Sequence, residues 1–67
     1  MNADQKEQFA KLLPRWQGYK RNLVWTFDGE ENAIIDRMAW VLLGRQLTSC
    51  PSCRVDAMRQ LENLYNA

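Results

Sequence analysis

The chain has no histidine, and only three glycines, two prolines and two cysteines among its 67 residues. Without histidine, the Ser–His and Cys–His pairs that activate nucleophiles cannot be assembled. Serine itself occurs only at Ser49 and Ser52. The glycines stand apart at Gly18, Gly29 and Gly44, so no glycine-rich loop is present to cradle a phosphate. Acidic residues gather at Asp28, Glu30, Glu31 and Asp36, but without the alternate spacing and central glycine of a calcium loop. Helix capping accounts for most of that cluster. The chain is therefore not expected to be an enzyme, to take a small-molecule substrate or to hold a cofactor of its own.

Charge of one sign is also missing. Nine basic and eight acidic residues leave a formal charge of +1, too little to draw the whole protein to nucleic acid or anionic lipid. The longest apolar run, Met38 to Leu43, is far too short to span a bilayer. The opening Met1–Glu7 stretch is polar and lacks the basic-then-apolar layout of a secretion signal. These features predict a cytoplasmic protein, or a virion component assembled there if phage-encoded, with no membrane contact. In that compartment the cysteines would stay reduced unless they do redox work.

What the chain does have is apolar bulk. Its hydrophobic fraction is 46%, with three tryptophans, two tyrosines and two phenylalanines, so disorder is a poor reading. The length fits one domain, residues 1–67, and domains this short often lean on a metal, a disulfide or a partner. Helical periodicity dominates. Asn2 and Gln5 have capping-box spacing, and Phe9, Leu12, Leu13 and Trp16 fall on one face. Pro14 interrupts that face but the phase survives it, so a kinked helix and a tight corner between helices over about 3–13 and 14–25 are both open, the second being the division adopted. Leu23 to Phe27 is rich in strand-favouring side chains, but a lone strand would have no partner, so helix is preferred to Trp25 and the Asp28-Gly29 turn ends it.

Asp28 and Glu31 mark the clearest helix start. From Ala33 to Leu43 little polar surface remains, and a helix apolar nearly all round belongs in the middle of something. Gly44 is its expected C-cap. Pro51 then opens an amphipathic last helix, with Cys50, Cys53, Ala57, Leu61 and Leu64 on one face. The expected architecture is all-α: a compact bundle of three to four short helices, over about 3–13, 14–25, 29–43 and 51–65.

Three constellations bear on function. Cys50-Pro51-Ser52-Cys53 is a C-x-x-C at a helix start, where the helix dipole favours a thiolate. A thioredoxin-like site would need a βαβ context that the chain cannot supply. A closed zinc site needs about four ligands, so Cys50 and Cys53 would have to share the zinc with a second subunit. Packing as small apolar residues is the plainer account of the pair. Lys11, Arg15, Lys20 and Arg21 interleave with Trp16 and Tyr19 and form the only basic-aromatic patch, the feature a nucleic-acid-binding module would use. Acidic Asp56 and Glu62 on the last helix oppose a helix-turn-helix use of that helix.

The third constellation is the tryptophan surplus. Trp16, Trp25 and Trp40 are hard to bury together in so small a domain, since each ring is large and its N–H wants a partner. Aromatic residues and methionine are favoured at interface centres. Trp16, Trp25, Met38 and Trp40 are therefore the candidate interface residues. The expectation is a non-enzymatic interaction or assembly module that completes its core against a protein partner or another copy. Nucleic-acid binding and a shared C-x-x-C metal or redox site stand as alternatives.

Overall fold

A computed structural model of the chain describes residues 1–47 and 51–67. Among these, three helices form: α1 (Ala3–Asn22), α2 (Gly29–Met38) and α3 (Pro51–Asn66), with α2 continuing into a π-helical turn, Ala39–Leu43. No strand occurs among the described residues. The all-α bundle expected from periodicity is what the chain adopts. Its Cα radius of gyration is 10.9 Å, which matches the roughly 11 Å of a well-packed chain of this length.

Both capping boxes form as the spacing predicts. The Asn2 side chain accepts from the Gln5 amide at 2.8 Å, and Gln5 accepts from the Asn2 amide at 2.9 Å. Asp28 and Glu31 exchange the same pair of bonds at 2.8 and 3.1 Å. Each box satisfies amides that the first turn of a helix otherwise leaves without acceptors. Gly44 ends the π turn in the left-handed conformation at φ 64°, with the Arg45 amide reaching back to the Ala39 carbonyl at 3.2 Å.

Pro14 does not divide the first helix in two. It lies inside α1, exposed, one turn after the exposed Ala10 whose carbonyl it deprives of a donor. Because that carbonyl is on the water side, solvent replaces the missing bond. The helix instead stops at Leu23, which takes the left-handed conformation at φ 58° and donates to the Tyr19 carbonyl at 2.7 Å. The expected helix to Trp25 is thus three residues too long. Residues 23–28 form an irregular connection in which Val24 and Thr26 face solvent while Trp25 is half-buried and Phe27 buried. The strand-like alternation is real, but it serves a strap lying across the bundle rather than a sheet.

The core is a cluster of Phe9, Leu12 and Trp16 from α1, Phe27 from the strap, Ile35 and Met38 from α2, and Met58 and Leu61 from α3. Rings extend it outward. Trp16 stacks on Tyr19 at 5.6 Å, Tyr19 meets Trp25 edge-on at 5.6 Å, and Trp25 leans on Phe27 at 4.5 Å. The Trp25 indole N–H is satisfied by the Asn32 side chain at 3.0 Å. That bond and the ring ladder hold the strap to α1 and α2.

Each pair of helices is also tied by one ion pair. Arg15 joins α1 to α2 through Glu31 at 2.9 Å and also donates to the Thr26 carbonyl at 2.8 Å. Lys20 joins α1 to α3 through Glu62 at 2.8 Å. Arg54 grips Asp36 of α2 with two bonds at 3.1 and 3.0 Å, a forked geometry more specific than a single contact. Through this pairing Asp36 raises the Arg54 pKa, first by hydrogen bonding and then by charge, against a partial loss of hydration.

Candidate functional site: an apolar outer face on the central helix

The inward side of α2 and its π turn is built from Ile35, Met38 and Ala39, all buried, with Leu42 half-buried beside them. These follow the i, i+3, i+4, i+7 pattern of one helical face. The opposite side then presents Glu30, Ala33, Arg37, Trp40, Val41 and Gly44, every one exposed. Trp40 is 61% and Val41 60% exposed, although both belong to the most apolar stretch of the chain. A π turn is a rare local widening that is frequent at functional positions, and here it carries these two side chains. Beside Trp40 lies a shallow hollow of about 340 Å³ lined by Asp36, Gln46 and Leu47.

The four interface candidates therefore separate. Trp40 is on the surface and Trp25 is half-buried, but Trp16 and Met38 are core residues at 0% and 3% exposure. Both are covered by the chain's own core. The reason is phase: Met38 shares the inward face with Ile35 and Ala39, and Trp16 falls one turn beyond Leu12 and two beyond Phe9. Val41, Leu23 and Val24 are exposed apolar residues that the sequence reading did not single out; Leu23 and Val24 are 74% and 58% exposed. For Val41 a signal existed. Arg37, one turn earlier on the same face, already marks that face as the wet one.

The buried Trp16 ring leaves its N–H without an acceptor in hydrogen-bonding geometry. The Glu62 carboxylate approaches closely enough to feel that donor, but the contact is a polar approach rather than a formed bond. Glu62 is held below the ordinary carboxylate range chiefly by its hydrogen bond from Lys20, with burial opposing and Trp16 and the Lys20 charge assisting.

The basic-aromatic patch is broken up. Lys20 is taken by Glu62 and sits 5.7 Å from the Trp16 ring centre, and Arg15 is taken by Glu31 and Thr26. Lys11 and Arg21 remain exposed. Nine positions separate Lys11 from Lys20, about two and a half helical turns, so they project on opposite sides of α1. Tyr19 is half-buried with one face against Trp16. No continuous cationic surface results.

A cleft of about 750 Å³ opens between the strap and α3, lined by Tyr19, Leu23, Trp25, Asn32, Val55 and Arg59 among others. Of the cysteine pair, Cys50 lies outside the described residues. Cys53 is half-buried and disulfide-bonded, the oxidised state of a cysteine that the sequence expects to be reduced unless it does redox work. A sulfur in that state is neither a nucleophile nor a metal ligand, since both roles need a thiolate. Among the described residues, no three Cys, Asp or Glu side chains converge on a point where a metal ion would sit. No helix among them is long and apolar enough to cross a membrane. No protein family, curated protein or solved structure matches this chain.

Proposed function

We propose that this chain is a non-enzymatic interaction or assembly module that docks through the outer face of α2 and its π turn. The observation that carries this reading is the exposure of Trp40 and Val41 side by side on the most apolar segment of the chain. Two helix starts are capped, and each helix pair has its ion pair. An indole left in water is surface that a contact can use, because burying it stabilises a complex by the hydrophobic effect. Nucleic-acid binding has less support, since Arg15 and Lys20 are already neutralised by carboxylates. The setting that fits is a multiprotein assembly, in the cytoplasm or in a particle built there.

A photo-crosslinking amino acid at position 40, in cells that make the chain, tests the reading. Discrete protein adducts are expected at position 40 and not at exposed position 8 on α1. Equal labelling at the two positions, or none at position 40, would overturn it.

A further inference from the structure

The outer face of α2 carries its own complement. Its exposed stripe runs Glu30, Ala33, Arg37, Trp40, Val41 and Gly44 along the side opposite Ile35, Met38 and Ala39. Charge is sorted along it. Asp28 and Glu30 stand at the amino end and Arg45 at the carboxyl end, with Arg37 midway between them. Unlike Arg15, Lys20 and Arg54, the charges of Glu30, Arg37 and Arg45 enter no ion pair within the described residues. The stripe thus offers an acidic end and a basic end, with Ala33, Arg37, Trp40 and Val41 between them and its own charges in no ion pair among the described residues.

We infer that the partner of this face is a second copy of the chain, docked antiparallel about a two-fold axis; the inference rests on the interaction reading above. An antiparallel copy sets the acidic end against the basic end twice over, which a parallel one cannot do. A two-fold contact needs only a self-complementary patch. The register follows from size. Setting Trp40 over Ala33 of the second copy places the largest side chain of the stripe on its smallest non-glycine residue. The same register sets Gly44 against Gly29 and brings Arg45 to the end that carries Asp28 and Glu30. Nothing lies within 4 Å of the point where a methyl group on Gly29 or Gly44 would stand, so the two backbones are free to approach there. This register brings the two Arg37 residues side by side at the axis, and each guanidinium turns away from the other toward the indole of the second copy, where a guanidinium over a ring is favourable. The result is a closed dimer with two tryptophans enclosed.

Native mass spectrometry and sedimentation equilibrium of the full chain, from micromolar to several hundred micromolar, read this directly. A dimer is expected as the only species above monomer. Trp40→Lys and Ala33→Glu, both at exposed helical positions, should each weaken it by about tenfold or more, as central aromatic contacts do. Arg45→Glu should weaken it by a smaller factor, and Glu30→Arg on the same chain should restore it. A monomer throughout the range, a ladder of larger species, or a double variant no better than Arg45→Glu alone would overturn the two-fold dimer. Crosslinking at position 40 separates the two readings. Adducts only to a different protein overturn the second copy and keep the interaction face, whereas no adducts remove both.

Discussion

α1 and the α2–π segment solve the same packing problem in opposite ways. In α1 the large apolar side chains Phe9, Leu12 and Trp16 all point inward and the outer side is polar. In the α2–π segment, Ile35, Met38 and Ala39 fill the inside while Trp40 and Val41 stand in water. Their ends invert the contrast. Both stop in the left-handed conformation, but the π turn does so on Gly44 and α1 on Leu23. Only glycine takes that conformation without steric cost, so α1 has an economical face and a strained end, and the central helix the reverse. An exposed indole on one and a left-handed leucine on the other show that the two segments carry their unfavourable features in different places: on the outer face of the central helix and at the end of α1.

The largest effect should separate the two tryptophans. Trp16→Ala is expected to cost about 3–5 kcal/mol, most of the stability of a domain this size, and to leave the chain largely unfolded in urea titrations. Trp40→Ala, at concentrations where the chain is monomeric, should stay within about 0.5 kcal/mol of wild type. Comparable losses at both sites would abolish the distinction between the inner and the outer ring.

The two helix ends give the next effects, of opposite sign. Gly44→Ala should destabilise by roughly 1–2 kcal/mol through backbone strain alone, because the added methyl meets nothing within 4 Å. In a thermal melt that corresponds to a fall of about 4–8 °C per kcal/mol for a small domain. Leu23→Gly should stabilise by about 0.5–1 kcal/mol, the relieved strain being partly offset by the greater freedom of glycine in the unfolded chain. A loss on Leu23→Gly would mean that the leucine side chain, though exposed, makes contacts worth more than its strain.

The smallest effect is electrostatic. The Lys20 hydrogen bond, helped by Trp16 and by charge, holds Glu62 below the pKa it has in the unfolded chain. Its contribution is therefore complete above the unfolded carboxylate value of about 4.3 and is lost as pH falls through the lower folded value. Lys20→Met should flatten the acid limb of the stability–pH curve below about pH 4.3 and cost under about 1 kcal/mol at neutral pH, as partly exposed pairs do. An unchanged acid limb would show that Lys20 has no hold on Glu62.

Much of the fold was legible in local signals. Capping residues at Asn2 and Asp28, glycine at Gly44 and proline at Pro51 each announce a helix boundary through chemistry confined to one turn. Pro14 misled for the converse reason. The phase of Phe9, Leu12 and Trp16 already puts Ala10 and Pro14 on the wet side, and that continuity of the apolar face outweighs the local tendency of proline to end a helix. The 23–27 segment misled because strand-favouring side chains describe an alternating, half-buried path, and that path exists here without a neighbouring strand. Among the interface candidates, phase relative to the charged Arg37 distinguishes Trp40 from Met38, whereas apolar content alone does not.

By itself the sequence determined an all-α chain, the places where most of its helices begin, and an aromatic load large for its length, because these depend on residue type and on repeats of three to four positions. Only the tertiary structure decided which tryptophan is sealed in and which is left in water, which cations are spoken for, and that Leu23 must bear a left-handed turn. Those outcomes depend on how three amphipathic helices share one small interior, and that interior has room for Trp16 but leaves Trp40 outside.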